Sequence, residues 1–294
     1  MMEIEGKILN GIGGFYYVET EKGIVECHAR GSFRKKGISP VAGDLVRIST
    51  DDDKVGTLES IEERKNCLVR PPVANVDYMV MVISMVQPSP NLQIIDTMLA
   101  VAESKEIEPI VVINKSDLAD AEEIRKLYDT AGYTTLVVSA ATGTGIEKLR
   151  KTLEGKVCVF TGNTGAGKSS ILNLLDPNLT IETGETSQKL GRGRHTTRMS
   201  VLYPQPGGGY YIDTPGFSSL DLEKLADICP EDLSFCFREF EPYWGKCKFT
   251  SCAHTGEKGC AICEAVSEGK IAVSRHESYK TLLEVSKKIS ENYD

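Results

Sequence analysis

The chain has 294 residues, 40% of them hydrophobic and 26% charged, and a net charge of −8. That length accommodates two or three folded units, and the acidic balance excludes a protein that holds nucleic acid through a global basic field, so any RNA contact must come from local patches. No apolar run approaches the roughly 20 residues of a membrane span, and the opening Met1-Met2-Glu3-Ile4-Glu5-Gly6-Lys7 lacks the apolar stretch of a secretion signal; the expectation is a cytoplasmic monomer with no membrane contact.

Residues 1–68 are short apolar runs broken by glycine, such as Gly13-Gly14-Phe15-Tyr16-Tyr17-Val18 and Gly43-Asp44-Leu45-Val46-Arg47-Ile48. Short strands separated by turn residues predict a small β-barrel. Pro71-Pro72 then marks a boundary. Residues 69–220 alternate near-continuous apolar strands with helical stretches. The strands are Asp77 to Ile83, Pro109 to Ile113, Leu136 to Val138 and Val157 to Phe160. Strands apolar on both faces belong to a covered parallel sheet, with Ile94, Ile95, Met98, Leu99 and Ala102 as one helical face and Ile124, Leu127 and Tyr128 as a shorter one. The pattern is a doubly wound α/β domain. Residues 221–294 hold a cysteine cluster and a helical stretch from His276 to about Asn292.

Four segments of the middle zone carry nucleotide chemistry. Asn114-Lys115-Ser116-Asp117 ends the second strand; a carboxylate there accepts from both the N1–H and the N2 amine of guanine, and Asn114 can tie this loop to a phosphate loop. Ser139-Ala140 ends the third strand, where a backbone N–H meets the guanine O6. Gly162-Asn163-Thr164-Gly165-Ala166-Gly167-Lys168-Ser169, followed by a helix opening at Ser170, fits G-x-x-x-x-G-K-[ST] in the required strand-to-helix context. Its glycines turn backbone N–H groups toward phosphates, Lys168 reaches the β- and γ-phosphates, and Ser169 ligates Mg²⁺. Asp213-Thr214-Pro215-Gly216 supplies a carboxylate for Mg²⁺ through water and a Gly216 N–H facing the γ-phosphate. Between them, Gly191 to Arg198 is polar and glycine-rich, and one of Thr196 and Thr197 is expected to close on Mg²⁺ with GTP bound. The guanine segments precede the phosphate segments, the reverse of a conventional GTPase. The same sheet assembles from either order when the old termini lie close together.

Cys247-x₄-Cys252-x-His254-x₅-Cys260 offers three thiolates and one imidazole within fourteen residues, a closed tetrahedral set for structural Zn²⁺. Cys263 competes as the fourth thiolate, and Cys229 and Cys236 read as small core residues. Arg30, Arg34, Lys35 and Lys36 flank Phe33, and Lys246 and Lys248 bracket a candidate zinc ligand, basic-plus-aromatic groupings that suit RNA.

Taken together, the permuted segments, the Val41-Ala42-Gly43-Asp44 barrel loop, Gly191 to Thr197 and the Cys-x₄-Cys-x-His-x₅-Cys spacing resemble the ribosome-small-subunit-dependent GTPases over the whole chain. The resemblance implies an N-terminal OB-fold, a circularly permuted P-loop GTPase domain and a C-terminal zinc domain. It further implies GTP hydrolysis stimulated by the small ribosomal subunit, rRNA contact and a role in late subunit maturation. It assigns catalysis to His195, which matters because Phe217 stands where many GTPases carry a water-orienting glutamine. Gly165 occupies the place of the asparagine found in potassium-activated GTPases. Two other readings fit parts of the pattern: an RNA-binding module with an inert nucleotide site, and a permuted GTPase serving another RNA particle.

Overall fold

The computed structural model describes residues 2–31, 33, 37–69, 71–179, 181, 200–214 and 228–291. Five strands close a barrel in the order β1-β2-β3-β5-β4: β1 (Met2–Ile12), β2 (Phe15–Thr20), β3 (Gly23–Ala29), β4 (Leu45–Thr50) and β5 (Val55–Ile61). Closure depends on β1, whose first half pairs with β4 and whose second half pairs with β2. The register of β1 against β2 shifts between Ile8 and Asn10, and at Gly6 a Cβ would meet Val18 Cγ1 at 2.5 Å and Glu19 O at 2.6 Å. A strand this close to another backbone has room only for glycine. Ile8, Val18, Val25, Cys27, Val46, Ile48 and Leu58 alternate inward and fill the barrel.

The Val41–Asp44 loop leads into β4. Asp44 is fully buried, accepts from Val41 N at 2.8 Å and receives a two-pronged ion pair from Arg64 at 2.6 and 2.8 Å. Gly43, at φ +88°, lies so close to Ala74 O that a Cβ would stand 2.2 Å from it. Ala74 belongs to a short hairpin of β6 (Cys67–Val69) and β7 (Pro72–Ala74), so this loop is also where the barrel meets the rest of the chain.

A six-stranded sheet follows in the order β10-β9-β8-β11-β13-β12, formed by β8 (Tyr78–Ser84), β9 (Glu108–Asn114), β10 (Thr134–Val137), β11 (Val157–Thr161), β12 (Leu202–Pro204) and β13 (Tyr210–Asp213). All pairs are parallel except the β12–β13 edge. Alternate residues serve opposite faces. Met79, Met81, Ile83, Val111 and Ile113 pack under α1 (Leu92–Ser104) and α2 (Glu122–Thr130), while Val80, Val82, Ile110, Val112 and Phe160 pack under α3 (Ile146–Leu153) and α4 (Lys168–Leu175). Burial on both sides is why these strands are apolar without interruption.

The C-terminal region folds onto the α1 side. Two short 3₁₀ turns (Leu233–Cys236 and Arg238–Tyr243), α5 (Ala261–Ser267) and α6 (Val273–Glu291) join the same apolar core through Leu233, Phe237, Phe240, Leu282 and Leu283. The contact is bolted by charge. Arg275, 1% exposed, donates to Asp96 on α1 at 2.7 Å, to Glu239 at 2.6 and 3.1 Å and to Tyr133 OH at 3.3 Å. Tyr128 OH donates to the same Asp96 oxygen at 3.0 Å. Arg238 adds a second clamp, on Glu103 and Glu108. Two expectations are corrected by burial. Cys229 is exposed, although Cys236 lies in the core. Phe33 is 7% exposed and packs inside the barrel, so it is no stacking surface for RNA.

Candidate nucleotide and metal sites

At the carboxyl ends of β9, β10 and β11 three loops converge on one side chain. Asn114 ends β9 and is 2% exposed. Its Nδ2 donates to Ala166 O in the glycine-rich loop at 2.9 Å, and its Oδ1 accepts from Ala140 N after β10 at 3.0 Å. The amide is thus spent at both ends on fixing the relative positions of the glycine-rich loop and the loop after β10. Gly167 makes the approach possible: at φ +96°, its Cβ would stand 2.2 Å from Asn114 Nδ2. Gly162 is equally constrained, at φ +137° with a Cβ 2.1 Å from Val82 O.

The guanine-type loops are locked to each other. Ser139 Oγ, buried, donates to Asp117 Oδ1 at 2.5 Å, and Ser116 N donates to Val138 O at 3.3 Å. Asp117 itself is exposed. Lys115, at φ +62°, reaches across to the carbonyls of Val86 and Gln87 at 3.3 and 2.7 Å, tying the loop after β9 to the loop after β8. Nothing in the sequence signals the Lys115 and Ser139 contacts, which depend on loops that only the fold brings together.

On the phosphate side, Ala166 is buried, Thr164 and Gly165 are exposed, and Asn163, Ser169 and Ser170 are half-buried. Lys168 opens α4 and folds its ammonium back onto Gly162 O at 2.8 Å and Asn163 O at 3.2 Å. Burial lowers its pKa, and the nearby Asp213 carboxylate opposes that shift. Asp213 pairs in register with Phe160, so β13 delivers its carboxylate to the same end of the sheet as the glycine-rich loop. Thr214 Oγ1 donates to Phe160 O at 2.7 Å and pins the exit of β13. His195, Thr196, Thr197 and Gly216 lie outside the described residues, as do Phe217, Arg34, Lys35 and Lys36.

A second constellation lies in the C-terminal region. The ligand atoms of Cys247, Cys252, His254 and Cys260 all fall within 4.8 Å of one another. Cys247 Sγ and Cys260 Sγ are each 3.5 Å from His254 Nδ1 and 3.9 Å apart. Tetrahedral zinc, with bonds of about 2.3 Å to sulfur and about 2.0–2.1 Å to nitrogen, requires ligand spacings of this size. Cys263 stands outside the quartet: its N–H donates to Cys260 Sγ at 3.4 Å and its thiol to His254 O at 3.7 Å. Burial pushes the Cys252 thiol up to about 12 and the Cys260 thiol up to about 11, so a cation must displace protons to bind. Burial also lowers His254, favouring the neutral imidazole a metal needs. Helix α6 braces the loop, with His276 Nε2 on His254 O at 2.6 Å and Tyr279 OH on Ala253 O at 2.9 Å.

The strand order puts the glycine-rich loop at the centre of the sheet while its guanine-type partners come from strands made earlier, which is the layout of a circularly permuted P-loop GTPase. Family comparison narrows the class. The chain belongs to the RsgA GTPase family: the RsgA GTPase model matches residues 61–223 and the RsgA N-terminal domain model residues 5–58. A relative from Caldanaerobacter subterraneus subsp. tengcongensis, described as a small ribosomal subunit biogenesis GTPase RsgA, is 47% identical across 100% of this chain and 99% of its own length. The crystal structure of YjeQ from Thermotoga maritima superposes with a TM-score of 0.82 at 35% identity, covering 97% of this chain and 99% of that one. YloQ, described as a circularly permuted GTPase, superposes with a TM-score of 0.79 at 32% identity over 98% and 96% of the two chains.

Proposed function

We propose that this GTPase acts in small ribosomal subunit biogenesis, hydrolysing GTP when it is bound to the small subunit and serving a late maturation step in the cytoplasm. The observation that carries the nucleotide reading is Asn114, a buried amide joining the phosphate loop to both guanine-type loops. Such a junction has no purpose in a loop that binds phosphate alone. The biogenesis role rests on the names of close relatives such as the one from Caldanaerobacter.

In this reading Asp117 takes the guanine N1–H and N2 amine, and the Ala140 and Lys115 region lines the base. Asn163 to Ser170 wrap the phosphates, with Lys168 leaving its carbonyl partners for the β- and γ-phosphates. Ser169, Asp213 and one of Thr196 and Thr197 would hold Mg²⁺, and the shared sheet end of Ser169 and Asp213 fits that assignment. The ion would offset charge on the β- and γ-phosphates. Water adds to the γ-phosphorus, the bond to the β–γ bridging oxygen breaks, and GDP and phosphate leave. His195 orients the water and Gly216 N–H faces the γ-phosphate. Cys247, Cys252, His254 and Cys260 would hold one structural Zn²⁺, whose spacing the quartet fits. Functional boundaries are proposed near residues 68 and 220, separating barrel, nucleotide domain and zinc domain.

The test is GTP turnover with and without purified small subunits, for the wild type and His195→Ala. Stimulation by small but not large subunits, reduced roughly 10²-fold in the variant with GDP affinity retained, is the expected result. Wild-type turnover indifferent to small subunits would defeat the biogenesis reading.

A further inference from the structure

Helices α3 and α4 each start from a loop proposed above to hold the nucleotide: α3 follows residues 139–145 and α4 follows residues 162–167. At that end Asn114 ties the two loops through Ala140 N and Ala166 O. A second tie stands at the far end. Arg150, in the last turn of α3, donates from one Nη to Leu174 O at 2.8 Å and from the other to Leu175 O. These carbonyls close α4, and the last carbonyls of a helix have no partner within it. Glu147, one turn earlier on α3, accepts from Arg150 Nε at 3.2 Å and steadies the guanidinium. We propose that Arg150 is a positioning residue for nucleotide binding: it fixes the tilt of α4 against α3, and so the span between the loop that takes the base and the loop that takes the phosphates. This rests on the loop assignments of the proposed function.

Helix α4 has eight residues, a length of about 12 Å, so the two ties grip it at opposite ends. Between them α3 and α4 meet through Leu149, Leu153, Ile171 and Leu172. Apolar contact is non-directional and permits tilt. A guanidinium seated on two successive carbonyls does not, because its donors form a rigid planar fork. Its charge also meets the negative pole of α4. On the other side Arg150 borders a cavity of about 170 Å³ shared with Gln205, Pro206 and Tyr211, so packing on that side cannot take over its role. With Arg150 gone, α4 keeps only the tie at Asn114 and can pivot there. A ligand that touches both loops binds only while their spacing is right, and its apparent affinity falls with the fraction of time the loops are aligned. A ligand that touches one loop does not sense the spacing. Arg150 should therefore matter to a whole nucleotide and not to either half of it.

The experiment measures the binding of GDP, guanosine and magnesium pyrophosphate to the full-length protein, by displacement of a fluorescent guanine nucleotide. In Arg150→Ala, GDP affinity should fall about tenfold, while guanosine and pyrophosphate bind as they do to the wild type. Arg150→Lys keeps the charge but not the fork; it should show the same pattern to a smaller degree, and it serves if the alanine variant does not fold. Ethylguanidinium, entering the enlarged cavity, should restore GDP affinity to Arg150→Ala, whereas tetramethylammonium at equal concentration, with the same charge and no N–H, should not. Equal losses for all three ligands, full GDP affinity in Arg150→Lys, equal rescue by both cations, or a lowered urea midpoint with GDP affinity unaltered would each overturn the inference. Lys168→Ala is measured beside these variants. If it binds GDP and pyrophosphate as the wild type does, the loop assignment itself fails. If it loses both while Arg150→Ala loses neither, the loop assignment stands and the role of Arg150 alone is refuted.

Discussion

Asn114 shows how much a single amide can decide. Its two hydrogen bonds place the Ala140 and Ala166 backbones relative to each other, and Gly167 is the residue that lets it reach. Gly167→Ala puts a methyl 2.2 Å from the Asn114 amide and strains a φ of +96°. One side must move, and both belong to the loops proposed to hold the nucleotide. We expect GDP affinity to fall at least 10²-fold by fluorescent-nucleotide titration, with the barrel and C-terminal region still folded by circular dichroism. Asp117 gives a cleaner test of base identity. Asp117→Asn replaces a two-acceptor carboxylate by an amide that suits xanthine, so GTP binding should drop and xanthosine triphosphate binding rise; unchanged GTP affinity would remove Asp117 from the site. The tie from Asn114 to the glycine-rich loop was legible in the sequence because both segments stand out by particular side chains at particular spacings. Phe33 was misjudged for the opposite reason. It lies at a helical position between β3 and β4, where one apolar residue among basic ones shows no period to reveal which way its ring faces, and apolar burial in the barrel won over exposure.

Among the elements, α6 is the instructive one. Its apolar residues Tyr279, Leu282 and Leu283 were visible as a helical face, yet the helix begins at Val273, and its most deeply buried side chain is an arginine. No periodicity argument counts Arg275, His276 and Ser278 as inward-facing, since their burial depends on partners such as Asp96, Glu239 and the His254 carbonyl brought from elsewhere in the chain. Arg275→Met keeps the volume and strands Asp96 and Glu239 without their cation. Breaking one member of a buried ion network costs about 3–5 kcal/mol, so the urea midpoint should fall markedly. An unchanged midpoint would mean that the carboxylates take up protons or water at no cost. The metal loop is a separate unit. Cys252→Ala removes one of four ligand atoms within 4.8 Å of one another and should release stoichiometric zinc and open the region after residue 228 to protease. The sheet has its own two-sided core, so GDP binding should survive. Finding no zinc in the wild-type protein would refute the assignment.

At the scale of the molecule, the sheet joins its neighbours in unlike ways. The C-terminal region is fastened to α1 and β9 through Arg275 and Arg238 and through apolar packing. The barrel meets the rest of the chain through Tyr210 OH on Glu19, Lys7 4.4 Å over the Tyr210 ring, the bridge from Ala42 to Val73 of the β6–β7 hairpin, and Leu9 and Ala42 at the edge of the shared apolar core, with no buried arginine network like that of Arg275 among the described residues. A nucleotide-dependent rearrangement should therefore move the barrel against a sheet and C-terminal region that travel together. Small-subunit affinity should be higher with a nonhydrolysable GTP analogue than with GDP, and by linkage the subunit should raise affinity for the analogue by the same factor. Equal affinities in co-sedimentation would rule out such coupling. Hydrogen exchange in α6 should be the same in both nucleotide states, while exchange at the barrel–sheet contacts should differ.

The Arg275–Asp96 pair also has a temporal meaning. Its members are 179 residues apart, and at about 5–20 residues per second Asp96 leaves the ribosome on the order of 10–40 s before the arginine that neutralises it. Over that interval the outer face of α1, later covered by Leu233, Phe237, Leu282 and Leu283, is bare and carries an unmatched carboxylate. The charge keeps an otherwise apolar helix face hydrated while the chain is unfinished, and the last helix to be made converts it into the anchor that completes the molecule.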